Sequence, residues 1–314
     1  MPGTAPTPRV LVVGSANLDF TVAAARLPRP GETVTGGTLL VNHGGKGANQ
    51  AVAARRLGAE VRFIACVGAD ASGSQIRAAL DKEGIGVAGV MTTDRAATGT
   101  ALIATDDDGR NQIVVAPGAN WQLTVAMVER RRDDIAWADV VMCQLETPIE
   151  TVTWVLGEAR RRQKVTLLNP APMRDEARDL VGLADYLTPN ETEAERLTGV
   201  AARDPEGAAA AGHALRARGA GSVVVTLGAA GALACSASGE VHVRAFPVAV
   251  VDTTAAGDAF NAGLAVALAE KRPLAGALRF AGATAALAST LRGAQPSLPR
   301  RAEVERLLAT SEDA

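Results

Sequence analysis

Cysteine is nearly missing from this chain: Cys66, Cys143 and Cys235 are three residues in 314, odd in number and far apart. That excludes a disulfide framework, fits a reducing compartment, and makes the three small core residues rather than nucleophiles. Histidine is as scarce, and His43, His213 and His242 show no metal-ligand spacing, which argues against a zinc site. Charge of one sign is lacking too. The formal net charge of −2 gives no general attraction to nucleic acid or to an anionic membrane. Nor is there a long hydrophobic run: the uncharged stretch 219–239 carries five glycines and three serines. It suits a strand over 222–226, a glycine turn and a second strand around 232–235 better than a membrane span. Residues 1–8 are a Pro/Thr/Gly tail without the basic start or apolar run of a targeting signal, so a disordered tail and a cytoplasmic location are expected. No G-x-G-x-x-G turn follows the first apolar run, 10–13, which argues against a dinucleotide-dependent oxidoreductase.

What remains is ample apolar material, 47% of the chain, enough for a large core within residues 9–314 as a single α/β domain. Short apolar runs at 10–13, 61–64, 140–143, 165–168, 186–188 and 223–226 alternate with helical patterns such as 72–83, 149–163, 191–197 and 206–218. That rhythm predicts a mostly parallel sheet covered on both faces. Residues of about 18–42 and 97–116 break it, being rich in Thr, Val, Gly and Pro, with a turn signal at Asp106-Asp107-Asp108-Gly109. They predict a small inserted β-structure.

Two glycine-containing segments carry the chemistry. Val251-Asp252-Thr253-Thr254-Ala255-Ala256-Gly257-Asp258-Ala259-Phe260 leads into an alanine-rich helical pattern. The amides of Ala255, Ala256 and Gly257 then fall at a helix N-terminus, where unpaired donors and the dipole favour an anion such as a transferring phosphoryl group. Asp258 stands where it can accept a hydroxyl proton; alternatively it only caps the helix. A helix N-terminus depresses a carboxylate's pKa, but phosphoryl transfer tolerates a weak base because its loose transition state needs positioning more than early proton removal. The second segment, Asn42-His43-Gly44-Gly45-Lys46-Gly47-Ala48-Asn49-Gln50, reads as a loop feeding a helix. It is no Walker A loop, since Gly47 follows Lys46 in place of Ser or Thr. Its glycines admit close backbone approach to a polyhydroxylated ligand, with Lys46 and Asn49 as hydrogen-bonding heads, and Lys46 is one of only four lysines against 28 arginines. Asn17 and Asp19, two apart on an extended segment, point to one side and suit vicinal hydroxyls. Glu146 follows a strand at its carboxyl end, where open α/β sheets place ligands.

Eight segments, taken in order, resemble the ribokinases of the phosphofructokinase-B-type carbohydrate kinase family: Gly14-Ser15-Ala16-Asn17-Leu18-Asp19, 44–49, Gln144-Leu145-Glu146, Leu168-Asn169-Pro170-Ala171-Pro172, 188–195, Thr226-Leu227-Gly228, 252–258 and Gly293-Ala294-Gln295-Pro296-Ser297. The resemblance covers nearly the whole chain. It implies a ribokinase-like three-layer α/β/α sandwich in which the inserted β-structure is a lid over the sugar and the contact of a homodimer. It implies ATP-dependent phosphorylation of D-ribose at O5 with Asp258 as base, and sugar contacts from Asn17, Asp19, Gly45, Lys46, Gly47, Asn49, Glu146 and Asp258. For the nucleotide it implies Asn190, Thr226, Leu227, Gly228, Ala229, Gly231, Gly257 and Gly282, the last at a position where relatives often carry a larger side chain. Asn190 and Glu193 match an Asn-x-x-Glu motif, with Glu193 supporting Mg²⁺ through water, although a plain helix cap explains the same residues. An activating K⁺ is implied at Asp252, Thr254, Ala288, Leu291, Gly293 and Ser297, mostly through carbonyls. Deoxyribose, fructose or a nucleoside as substrate, and a non-catalytic sugar-binding module, are the alternatives. A nucleoside needs a platform for its base, for which the lid region offers only Phe20 and, just beyond it, Trp121.

Overall fold

The structure, a computed structural model, describes residues 6–106 and 110–311. Among these, thirteen strands form in chain order: β1 (Arg9–Val13), β2 (Asn17–Ala23), β3 (Thr38–Gly44), β4 (Glu60–Gly68), β5 (Val90–Thr93), β6 (Gly99–Thr105), β7 (Asn111–Ala116), β8 (Val140–Cys143), β9 (Val165–Leu168), β10 (Tyr186–Leu187), β11 (Ser222–Thr226), β12 (Ala232–Ser236) and β13 (Gly239–Val243). Nine make one sheet in the order β13-β12-β11-β10-β9-β8-β1-β4-β5, parallel throughout except at the β11–β12–β13 end.

Alternation along the strands explains the three layers. Val10 and Val12 of β1 join a core with the helices Lys46–Arg56, Ala256–Ala269 and Leu274–Ala288, whereas Leu11 and Val13 join the opposite core with Ile149–Arg161, Glu191–Thr198 and Pro205–Ala217. The runs VVMC and VTLL are apolar without alternation or nearly so because both faces of their strands are covered. The predicted runs and helices all recur as elements, with ends shifted by a few residues. β5 and the edge strand β13 were not expected.

The other four strands form a separate sheet in the order β3-β2-β6-β7, antiparallel except for the β2–β6 pair. This is the predicted insert. Three positions of its expected turn, 107–109, lie outside the described residues, and around them Asp106 accepts the Arg110 backbone N–H at 2.9 Å. Of the predicted tail, 1–5 lie outside the described residues as well. Pro8 does not behave as tail: it is buried and its carbonyl accepts the Glu60 N–H at 2.9 Å, extending the β1–β4 ladder.

The segment 42–50 departs from the expectation of a loop. Asn42, His43 and Gly44 end β3, Gly45 alone makes the bend at φ +85°, and Lys46 opens the helix Lys46–Arg56. Lys46, Asn49 and Gln50 therefore share one helical face at i, i+3 and i+4.

Candidate active site

The chain leaves the main sheet after β1 and enters the small sheet at Asn17, so β2 hangs its polar residues beside the carboxyl ends of β1, β8 and β9. Asn17 and Asp19 lie on one face of β2, as the extended reading required, and Phe20 lies on the other. Asp19 packs onto Gly44 across the β2–β3 ladder: a Cβ on Gly44 would sit 1.9 Å from Asp19 Oδ2. Burial, then the charges of Glu146 and Asp258, push the Asp19 carboxyl up to about 7. Its Oδ1 and the Oδ1 of Asn49 are buried acceptors with no partner. Two orphan acceptors facing one region suit a ligand that brings hydroxyl donors.

Asn17 is less free than expected. Its Oδ1 accepts from Asn120 Nδ2 at 2.7 Å, while Asn120 Oδ1 accepts the Ala16 N–H at 2.9 Å. That leaves Asn17 its amide donor. Glu146 Oε2 accepts from Ser15 Oγ and from the Lys46 N–H at 3.0 Å, tying the first turn of Lys46–Arg56 to the end of β8.

Asp258 is buried at the start of Ala256–Ala269, gripped from the helix Lys46–Arg56: Asn49 Nδ2 donates to Oδ2 at 2.9 Å and Gln50 Nε2 to Oδ1 at 3.0 Å. Burial raises its pKa above the ordinary carboxylate value, with Lys46 and the two amides opposing and Glu146 adding to the rise. Desolvation, the largest of these influences, works against the lowering expected at a helix terminus. Lys46 has burial working against its charge, yet the carboxylates of Asp258, Glu146 and Glu193 hold its pKa above the usual lysine value. One cation thus sits in the field of all three acids.

The amides ahead of Asp258 are not equivalent. Ala255 takes a left-handed conformation at φ +61°, and Ala256 donates to the Thr253 carbonyl at 3.1 Å. Of the three expected donors, Ala255 and Gly257 donate to no backbone carbonyl. The Gly257 carbonyl is held by Asn261 Nδ2 at 2.8 Å, Asn261 Oδ1 accepts from Thr188 Oγ1, and the Thr188 carbonyl accepts from Asn169 Nδ2 at 3.2 Å. Gln50 Nε2 approaches Asn169 Oδ1 at 3.4 Å. A buried amide and hydroxyl chain thus joins the N-terminal part of Ala256–Ala269 to Gln50.

Asn190 and Glu193 form a reciprocal capping box: the Glu193 N–H donates to Asn190 Oδ1 at 2.8 Å and the Asn190 N–H to Glu193 Oε2 at 2.9 Å. The structural role is real. Burial nevertheless raises the Glu193 pKa, offset by the Asn190 N–H and by Lys46, so this acid also faces the Lys46 region. Thr226 N–H donates to the Pro189 carbonyl at 3.0 Å, setting Asn190 beside the turn Thr226–Gly231, in which Leu227 N–H bonds the Gly231 carbonyl and Ala229 lies in a short 3₁₀ turn. Gly282 packs under the Phe246 ring, 3.6 Å from where its Cβ would lie.

Asp252 knots the remaining loop. Oδ1 accepts from the N–H and Oγ1 of Thr254, at 2.8 and 2.6 Å, and Oδ2 accepts the Gly293 N–H at 2.8 Å. These bonds overcome burial and hold its pKa below the ordinary value. The carbonyls of Thr254, Ala288, Leu291 and Gly293 accept no backbone hydrogen bond, while Ser297 Oγ is spent on the Ala294 carbonyl. Leu291 turns its side chain outward.

Sequence reasoning missed Ser15, Gln50, Asn120 and Asn261 as site residues. Gln50 alone had a signal, its place one turn beyond Lys46 on the face of Asn49.

Residues 7–301 match the description pfkB family carbohydrate kinase. The chain is 41% identical over 292 residues to the ribokinase of Haemophilus influenzae, covering 93% of this chain and 95% of that one. To the ribokinase of Bacillus subtilis it is 40% identical, covering 96% and 99%. Its fold superposes on that of Arabidopsis thaliana ribokinase, solved with ribose and ATP, with a TM-score of 0.90 at 35% identity, covering 96% and 99%.

Proposed function

We infer the reaction from one premise, that the chain belongs to the pfkB family of carbohydrate kinases. It is a ribokinase by activity, moving the γ-phosphoryl group of ATP to D-ribose. The acceptor atom is O5 and Asp258 is the base. The observation that carries this reading is the buried Asp258 carboxylate, pinned by Asn49 and Gln50 and raised in pKa by burial. Each oxygen accepts one amide hydrogen and keeps acceptor capacity for a hydroxyl proton. As O5 attacks, its proton passes to Asp258 while the free amides of Ala255 and Gly257 favour charge on the transferring group. Asp19 and Asn49 accept sugar hydroxyls through their orphan oxygens, Asn17 donates, and Glu146 positions Lys46 and Ser15. The opposite placement of Phe20 leaves the sugar face of β2 without a stacking platform, which favours a small polyol over a nucleoside.

A kinase that uses ATP needs a divalent metal. Glu193 would support its Mg²⁺ through water, since a hard oxygen donor with retained waters fits that ion's preference, and the bound ion would neutralise phosphate charge. The donor set of carbonyls at Thr254, Ala288, Leu291 and Gly293 beside the Asp252 carboxylate fits K⁺, which when bound orients the adjoining turn electrostatically. Thr226, Leu227, Gly228, Ala229 and Gly231 receive the nucleotide with Asn190, and Gly282 lies at its base end.

The homodimer reading gains support from the face of the small sheet opposite Asp19. There Val41, Phe20, Leu102 and Val114 align in one row across all four strands, and Val41, Leu102 and Val114 are exposed. An unpaired apolar row of this kind suits a second copy of the same sheet. Among the described residues no helix is long and apolar enough to cross a membrane, and Cys66, Cys143 and Cys235 are unpaired and buried, which supports a reducing cytoplasm.

The test is ADP release from Mg²⁺ and ATP against D-ribose, 2-deoxyribose, fructose and adenosine, with and without K⁺. Ribose gives the highest kcat/KM and K⁺ raises it. Preference for another acceptor moves the specificity, and release without regard to the sugar removes the reading.

A further inference from the structure

Away from this site three metal-ligating side chains meet from three separate elements. His213 comes from the helix Pro205–Ala217, Cys235 from β12 and Glu240 from β13. His213 Nε2 and Glu240 Oε1 lie 2.7 Å apart, and with Cys235 Sγ all three atoms fall within 4.8 Å of one another. Among the described residues it is the one such trio of His, Cys, Asp and Glu side chains. We propose that His213, Cys235 and Glu240 form a binding site for a zinc-class divalent ion, with water as the fourth ligand.

The backbone presents the sulfur deliberately. Cys235 is fixed in β12 between β11 and β13, and the helix Pro205–Ala217 makes room for it with a glycine: a Cβ on Gly212 would stand 2.6 Å from Sγ. The thiol itself makes only a long contact to the Ala209 carbonyl, 3.6 Å. His213 and Glu240 are about half exposed, so both can turn to meet an ion over the sulfur. Around a tetrahedral ion with bonds of about 2.0–2.3 Å, ligand atoms stand roughly 3.3–3.8 Å apart. The trio reaches that spacing if the exposed histidine and glutamate part slightly and close on the sulfur. Imidazole, thiolate and carboxylate together select a borderline-soft ion over Mg²⁺.

Binding is a balanced exchange. Burial, then Glu240, pushes the Cys235 thiol up to about 11, with Arg216 pulling the other way. The ion therefore displaces a proton from sulfur, takes the Nε2 lone pair of His213 once the proton that Nε2 shares with Glu240 has left that nitrogen, and accepts the Glu240 carboxylate. Two negative ligands leave the site neutral. A bare surface ion pair between His213 and Glu240 is the simpler use of these residues, and such exposed pairs contribute little. Sulfur does not take part in it. The consequence of the proposal is a clamp on the β12–β13 edge, where β12 begins directly after the turn that ends at Gly231.

Titration of chelator-stripped full-length protein with Co²⁺, in excess Mg²⁺ to occupy oxygen sites, tests this. The expected result is one equivalent bound, with tetrahedral visible bands and a thiolate-to-cobalt band in the near ultraviolet, all discharged by Zn²⁺. Affinity should rise with pH, because a proton leaves sulfur as the ion binds. Altering a residue behind a metal ligand costs about 10–100-fold in affinity, so deleting a ligand by His213→Ala or Cys235→Ser costs at least as much. If Cys235→Ser does not fold, His213→Ala decides, since His213 is exposed. Absence of the thiolate band, or its survival unchanged in His213→Ala, overturns the proposal.

Discussion

Substituting Gly44 by alanine tests how the acceptor sugar is positioned. The residue has an ordinary strand conformation, so alanine meets no backbone penalty, and the effect comes from contact alone. The new Cβ would lie 1.9 Å from Oδ2, 2.5 Å from Cγ and 2.8 Å from Oδ1 of Asp19, where ordinary contact begins at 3.4 Å. The carboxylate must withdraw by about 1.5 Å. No donor anchors Asp19 Oδ1, so the carboxylate gives way and its alignment with the sugar is lost. Misplacing a positioning group by about 1 Å costs on the order of 10²-fold in rate, while overpacking costs about 1–3 kcal/mol of stability. Steady-state ADP release should show kcat/KM for ribose reduced about 100-fold, chiefly through KM, with ATP binding unchanged. In an Asp19→Ala background the same Gly44→Ala change should cost almost nothing, because its clash partner is gone. An unchanged KM in the single variant, or an equal stability loss in both backgrounds, would exclude the Asp19 contact as the cause.

Two further predictions concern the acids. Asp19 titrates near 7 in the fold against an ordinary value of 3.8, so the folded chain holds a proton that the unfolded chain has released between about pH 4 and 7. Stability without sugar should therefore fall as pH rises through that window, and Asp19→Asn should flatten the trend in thermal melts; a wild-type midpoint independent of pH would contradict it. Glu193→Gln keeps the capping box, since glutamine also accepts the Asn190 N–H, so the melting temperature should hold while the Mg²⁺ concentration for half-maximal activity rises. Unaltered Mg²⁺ dependence would reduce Glu193 to a cap.

Local pattern revealed much of the fold and part of the site. Residues 140–143 and 165–168 could be read to the residue because apolar runs with both faces covered leave little ambiguity. β13 could not, since Gly-Glu-Val-His-Val is a five-residue edge strand with charge on its open face. The segment 42–50 misled because three glycines in nine residues look like a loop. Only Gly45 bends the chain; Gly44 admits Asp19, and a Cβ on Gly47 would meet the Ser15 backbone at 2.6 Å. Taken as a loop, the segment concealed the helical face that delivers Gln50 beside Asn49. The bonds that pin Asp258 join residues more than 200 positions apart, and no spacing rule in one sequence announces such a pair. Burial settled the sign of the Asp258 shift, and burial is a property of the packed molecule.

Whether Asp258 takes the proton from the acceptor hydroxyl is tested by single-turnover phosphoryl transfer in Asp258→Asn, with ribose and ATP affinities determined on the same protein. The expected result is transfer slowed by about 10²–10⁴-fold with both substrates still bound. Transfer within about tenfold of the unaltered enzyme would contradict it, since proton removal by a positioned base is worth more than that.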